Sequence, residues 1–316
     1  MDLFKKALQF VGAIAIVFTL VFAIKSNNNG NSPSSTSVSI ENDATGLKAV
    51  VMSLPIPSDL NFAGEPVPLN EQEVLERVDR EFLVNTYWQS NALLLMKRSQ
   101  KYFPIMRPIL DSYGIPEDFL YLAVAESGLE SLRSPAGAAG FWQLMKGTAK
   151  DYTLEVNSNV DERYHVEKAT EVACKYILKA KEKFGSWTLA AAAYNAGNRG
   201  ISRQLEKQQA TNYYDLLLGQ ETGRYVFRIL ALKTIMNDPI TYGFMLNDTD
   251  YYKSTPTKQI EIDKPLKNLT DFARSHDFSY KILKRHNPWL RQGHLNNRSR
   301  KKYQIEIPLE MDQTPD

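Results

Sequence analysis

Between Glu71 and Met236 the apolar residues recur at the three- and four-residue spacing of helices, and no stretch sustains the alternation of a half-buried strand. Val74, Val78, Phe82 and Leu83 lead into the apolar run 93–96 and then to Tyr102, Ile105, Ile109 and Leu110, with Gly114 as the stop. Further helices are expected over 116–127, near 141–152, and over 166–184, 187–194 and 222–236, with Gly197 a natural terminator after the fourth. No internal repeat is present. The fold class is therefore mainly α; a small sheet fits only near 132–138, where the pattern is poor.

A chain of 316 residues can hold one substantial domain and a smaller one. Its 38 basic and 36 acidic residues nearly balance, and its apolar content is that of a globular protein, which excludes a wholly disordered chain. Cys174 is the sole cysteine, so no intramolecular disulfide can form, and its place on an apolar helix face reads as a buried, inert thiol. His165, His276, His286 and His294 show no ligand spacing with cysteine or paired carboxylates, and no Gly-rich phosphate loop follows a strand. Neither a metal nor a cofactor is expected.

The ends differ from this middle. Residues 7–24 are apolar apart from Gln9 and Thr19, with Lys5 and Lys6 before them and Lys25 behind. That length suffices to cross a bilayer, and the leading lysines favour a cytoplasmic N-terminus. No small-x-small cleavage site follows and no cysteine is near to take a lipid, so 1–25 reads as a signal-anchor in the inner membrane. Residues 26–53 read as a flexible linker, its first part rich in Asn and Ser. The proline-punctuated segments 54–59 and 65–69 are expected to lie extended on the surface of the domain that follows.

One residue in the helical region stands out chemically. Glu126 ends the 116–127 helix on the stripe of Phe119, Leu122 and Ala123, where burial and the negative end of the helix dipole both favour the protonated carboxyl. A Glu so placed can act as a general acid near neutral pH. A helix-end Glu that reaches solvent satisfies the same pattern, and the helix alone does not choose between them.

The residues beyond it narrow the choice. Ser134-Pro-Ala-Gly-Ala-Ala-Gly140 runs into Phe141-Trp142-Gln143, the Ala-rich helix ends in Tyr194-Asn195-Ala-Gly197, and Glu221-Thr-Gly-Arg-Tyr225-Val follows. Glu-Ser, Gly-x-x-Gln, Ala-Tyr-Asn and Glu-Thr-x-x-Tyr-Val in this order resemble the soluble lytic transglycosylase-like domain of the lysozyme superfamily. Gly-Phe-Trp-Gln in place of the commoner Gly-Leu-Met-Gln, with Asp79-Arg80-Glu81 and Lys97-Arg98 upstream, is similar to the membrane-bound D-type branch. The resemblance covers roughly residues 60–245 and places a lysozyme-like catalytic domain at 54–250. It implies an enzyme that cuts the β-1,4 bond between N-acetylmuramic acid and N-acetylglucosamine of peptidoglycan without water, leaving a 1,6-anhydro end. Glu126 is then the catalytic acid and base, with Ser127, Ser134, Gln143, Tyr194, Asn195 and Tyr225 around the substrate. Trp142 reads as core or cleft wall, and the Phe-Trp pair leaves the shape of the adjoining sugar site open. A retaining or inverting hydrolase needs a second carboxylate; Glu130, Glu155, Asp161 and Glu162 are the candidates, read instead as a solvated loop residue and helix-capping groups. A lysozyme-type hydrolase and a non-catalytic wall-binding scaffold remain the rivals. The implied partners are glycan strands, the membrane through 7–24 and cell-wall synthesis or division proteins, with the catalytic domain in the periplasm.

After about Tyr251 the composition turns basic: residues 251–306 hold thirteen Lys or Arg against five Asp or Glu. A strand near 259–262, helices near 266–275 and 280–287, and a strand at 303–308 give an order that resembles a degenerate LysM peptidoglycan-binding module over 251–316. A basic appendage packed on the catalytic domain fits equally well. Nucleic acid is not an expected partner, since a basic patch alone does not make such a site and the compartment opposes it.

Overall fold

The computed structural model describes residues 51–309, so the expected anchor at 1–25 and nearly all of the linker lie outside the described residues, as do 310–316. The fold begins with a two-stranded hairpin, β1 (Asn61–Phe62) and β2 (Glu65–Pro66). Helices α1 (Gln72–Tyr87), α2 (Gln89–Ser112), α3 (Phe119–Ser127), α4 (Lys146–Asp151), α5 (Val166–Phe184), α6 (Trp187–Ala196), α7 (Asn198–Gln208) and α8 (Gln220–Asn237) follow. The C-terminal part is β3 (Thr257–Ile262), α9 (Leu269–Arg274), α10 (Tyr280–His286) and β4 (Tyr303–Pro308), with β3 and β4 antiparallel from Thr257 opposite Pro308 to Ile262 opposite Tyr303. Among the described residues no helix is long and apolar enough to cross a membrane.

Helix α3 sits at the centre, and its sequence explains why. Phe119, Leu120, Tyr121, Leu122, Ala123 and Val124 are all buried, so the helix has no solvent face until its last turn. This corrects the one-sided stripe of the sequence reading: a run apolar all round is packed from every direction. It also starts later than expected, because Pro116 to Asp118 form a turn, with the Phe119 amide donating to the Pro116 carbonyl. Gly128 ends it in the left-handed region, φ 60°, its N–H donating to the Val124 carbonyl.

The helix expected over 141–152 forms only from Lys146. Gly140 at φ 78° and Gln143 at φ 45° turn the chain too sharply for a helix, while Phe141, Trp142 and Leu144 go into the core. Isolated bridges from Ala139 to Arg133 and to Leu144 take the place of the small sheet allowed near 132–138. Helix α7 was not expected. Ile201 and Leu205 are its apolar residues and only Ile201 is buried, too few to mark a helix in the sequence. Gly197, φ 75°, does end α6, but as a joint into α7.

The proline-punctuated entry segment is more than a surface strap. Phe62 is fully buried and packs edge-on to Phe119 at 5.1 Å, and Glu65 caps α6 from outside the helix. Its carboxylate accepts from the Trp187 and Thr188 amides at 2.6 and 2.9 Å and from the Ser186 and Thr188 hydroxyls at 2.7 Å each. Those bonds carry the Glu65 carboxyl down to about 2 against the cost of its partial burial. Cys174 is buried and unbridged, and burial pushes its thiol up to about 12.

The C-terminal residues build a second core from Leu269, Ala273, Leu283, Trp289, Leu290, Leu295, Ile305 and Ile307, into which Ala139, Val160 and Tyr164 also pack. The loop before α5 is its dock. Asn159 alone makes three bonds to the C-terminal part: its carbonyl accepts from the Arg291 amide, Nδ2 donates to the His294 carbonyl and Oδ1 accepts from the Asn296 amide. Arg291 lies over the Tyr164 ring at 4.1 Å, and Lys301 bridges Glu155 and Glu162. A cleft of about 590 Å³ lies along this seam, walled by Tyr102, Phe141, Tyr164 and Trp289.

Candidate active site

The end of α3 presents Glu126 to a cavity of about 360 Å³ that it shares with Glu81, Trp88, Asn91, Leu132, Arg224 and Arg228. Tyr225, on the facing helix α8, donates its hydroxyl to Glu126 Oε1. Loss of water raises the Glu126 carboxyl to about 7, and the charge of Glu221 adds to that; the Tyr225 bond and Arg228 pull it down without cancelling the burial. A carboxyl that titrates there holds its proton at neutrality and can also release it.

The other sequence-predicted residues divide into two groups. Tyr194 and Tyr225 lie within electrostatic reach of Glu126, and burial with the Glu126 charge drives both phenols well above their ordinary range. Both hydroxyls therefore stay protonated and act as donors, Tyr194 to the Trp142 carbonyl at 2.7 Å. Gln143 follows Trp142, and its Nε2 donates to the Gly140 carbonyl at 2.8 Å and the Leu132 carbonyl at 3.3 Å. Asn195 Oδ1 accepts from the Thr222 hydroxyl at 2.8 Å, which ties the end of α6 to the first turn of α8.

The two serines point elsewhere. Ser127 is buried, and its Oγ donates to the Phe141 carbonyl at 2.8 Å and lies 3.2 Å from the Ala123 carbonyl. Ser134 Oγ accepts from the Ala138 amide. Each hydroxyl holds backbone of the 134–144 loop. Trp142 is fully buried, with its indole N–H donating to Thr170 at 2.8 Å.

Three features were given no role by the sequence, although Glu81 lies in the Asp79-Arg80-Glu81 run noted there. Glu81, 1 % exposed, lines the Glu126 cavity and is held by Arg80 at 2.7 Å and Arg224 at 2.6 Å, with Arg228 at 3.8 Å. The arginines of α8 lie more than 140 residues along the chain, so only the packing of α1 on α8 reveals the cluster. The second is Arg163, 4 % exposed, whose Nη1 donates to the Gly137 and Leu144 carbonyls at 2.8 and 3.0 Å while Asp161 grips the same guanidinium at 2.7 and 2.9 Å. A Cβ on Gly140 would stand 1.9 Å from the Arg163 carbonyl oxygen, so only glycine allows that approach. The Asp161 amide in turn donates to the Trp289 carbonyl, so the loop carrying Gln143 is braced from the C-terminal part. The third is Trp88, at the break between α1 and α2.

A buried helix that ends in a proton-holding glutamate, with the Tyr225 hydroxyl on it, Tyr194 within electrostatic reach and a Gln-bearing loop alongside, makes a candidate acid–base site in a mainly helical fold. Residues 107–217 match the Transglycosylase SLT domain and residues 258–311 the Soluble lytic transglycosylase C-terminal LysM-like domain, so the two matches lie in tandem along the chain. It is similar to the membrane-bound lytic murein transglycosylase D of Escherichia coli, strains K12 and O6:H1, at 27 % identity over 220 residues in each case. Those 220 residues are 67 % of this chain and 48 % of the relative, so the chain spans about half the length of the curated relatives it matches. Among solved structures, an inactive mutant of lytic transglycosylase Slt from Pseudomonas aeruginosa aligns with 20 % identity and a TM-score of 0.38, covering 48 % of this chain and 27 % of that one. The 70 kDa soluble lytic transglycosylase of Escherichia coli aligns with 22 % identity and a TM-score of 0.39, covering 48 % and 26 %.

Proposed function

We propose that the protein is a peptidoglycan lytic transglycosylase that cuts the β-1,4 bond between N-acetylmuramic acid and N-acetylglucosamine. Glu126 gives its proton to the leaving glycosidic oxygen; as carboxylate it then takes the proton of the muramyl C6 hydroxyl, whose oxygen closes on C1 to form the 1,6-anhydro ring. One proton goes out and one returns, and no water is consumed. The observation that carries this reading is a single carboxyl raised to about 7 and held by the Tyr225 hydroxyl. Tyr225 and Tyr194 orient it, Gln143 serves the sugar beside the bond being cut, and Asn195 fixes α6 against α8. Ser127 and Ser134 contribute by shaping the loop.

The lysozyme-type hydrolase reading needs a second carboxylate free to act as nucleophile or base. Glu81 is the carboxylate that shares the cavity, and its engagement with three arginines suits it to hold cations in place. The intended compartment is the periplasm, with residues 7–24 as membrane anchor, 54–250 as catalytic domain and 251–316 as a LysM-like module, in cell-wall remodelling.

Mass spectrometry of digested sacculi tests the reaction. Anhydromuramyl ends are expected, and reducing ends that carry one added water would assign a hydrolase. Glu126→Gln should lower the cleavage rate by about 10²–10⁴-fold; clearing at the wild-type rate by that variant would end the assignment.

A further inference from the structure

The wall of the Glu126 cavity opposite α3 comes largely from residues outside the 107–217 match, and it has the chemistry of a sugar site. Helix α1 stops at Tyr87 and α2 starts at Gln89, and Trp88 between them, at φ −86° and ψ 62°, belongs to neither. The break turns its indole outward: Trp88 is 61 % exposed, against 0 % for Trp142 and 4 % for Trp289, with Trp187 half-buried. Leu132, 48 % exposed, lines the same cavity. Single exposed apolar residues are ordinary on a protein surface, but two in one concavity with an ionisable pair are not.

Polar groups complete the wall. Arg224 and Arg228 are 25 % and 29 % exposed and line the cavity, positioned by the buried Glu81. Glu81 Oε2 accepts no hydrogen bond of its own, and Asn85 is fixed through Nδ2 to the Glu81 carbonyl at 2.7 Å. Asn91, half-buried, comes from the first turn of α2. An aromatic face beside guanidinium and amide donors suits a pyranose ring, whose C–H face stacks on the indole while its hydroxyl and acetamido oxygens accept hydrogen bonds. A volume near 360 Å³ is in the range of a small-ligand site.

We propose that Trp88, Asn91, Arg224 and Arg228 form a subsite for an N-acetylhexosamine ring adjacent to the bond that Glu126 cleaves. The inference rests on the reading of the chain as an enzyme of β-1,4-linked glycan. It adds a specificity element from the α1–α2 break, which a polymer must cross to present its linkage to Glu126.

The test is a fluorescence titration of the Glu126→Gln protein with soluble, peptide-free glycan fragments of alternating N-acetylglucosamine and N-acetylmuramic acid. Because Trp88 is the exposed member of the four tryptophans, binding should give a saturable blue shift that Trp88→Phe in the same background abolishes. Trp88→Ala should raise the Kd about tenfold, and Trp88→Phe by less, because one good stacking contact has that worth. In the otherwise wild-type protein kcat/KM should fall by a similar factor, at a Tm within a few degrees of wild type. A Kd for Trp88→Ala within twofold of its parent, or fragments that bind without altering emission, would overturn the subsite. Cleavage by Glu126→Gln at the wild-type rate would instead overturn the role of Glu126, whatever the titration gives.

Discussion

Glu126 at the end of α3 and Glu162 in the loop before α5 are both carboxyls for which burial is the largest influence, and in both it favours the proton. They end on opposite sides of the ordinary value. Glu162, 3 % exposed, accepts from Lys168 at 2.6 Å, Lys301 at 3.3 Å and the Glu155 amide at 2.7 Å, and these hold it ionised and low. Glu126 has one neutral donor, Tyr225, and Glu221 opposing ionisation, while Arg228 also faces Glu81. Burial alone therefore does not make an acid catalyst; burial without a dedicated cation does. The first arrangement fastens the C-terminal part to the helical domain, and the second leaves a proton available.

The sharpest break of this comparison is on the structural side. Asp161→Ala strips the buried Arg163 guanidinium of its partner at 5 % side-chain exposure, and should cost about 3–5 kcal/mol of stability by chemical denaturation. A loss of activity at unchanged stability would move this loop from brace to chemistry. Glu126→Gln should behave oppositely in a thermal scan. A carboxyl raised from about 4.5 to about 7 in the folded state stabilises below its unfolded value, and that contribution is lost as pH rises through 7. The amide has no such loss, so the variant should gain roughly 3 kcal/mol over wild type at pH 8, a Tm increase of several degrees, and little at pH 4.5. Equal melting at both values would show that Glu126 is not charged against resistance. The smallest effect is expected from Tyr225→Phe. Removing the bond that favours the carboxylate should move the upper activity limb further toward alkaline pH, read from kcat/KM against pH; a shift toward acid would reverse the role given to the hydroxyl.

Much of this arrangement was legible before any coordinate. The apolar face of Ala169, Val172, Ala173, Ile177 and Ala180 gives α5 its observed bounds, because one-sided burial at helical spacing is a local signal. β4 forms at 303–308 by alternation, its residues buried at every second position. Glu126 was found for a partly mistaken reason: its helix is buried all round, which strengthens the desolvation argument while removing the stripe that suggested it. What stayed hidden depends on contacts between distant segments. Glu81 meets Arg224 across 143 residues, and Asn159 meets His294 across 135, and nothing in the local sequence at one end points to the other. A motif gives a residue's neighbourhood but not the direction of its hydroxyl, and the hydroxyls of Ser127 and Ser134 both turn to the loop backbone.

The central claim concerns the proton on Glu126, and site-resolved carbon NMR of its side-chain carboxyl addresses it directly. With Glu126→Gln as the control that identifies the resonance, the titration of the wild-type protein should have its midpoint near pH 7, well above an exposed glutamate. A midpoint near 4.5 would mean that Glu126 is an ordinary solvated carboxylate, and the account of it as the acid that starts the reaction would be contradicted.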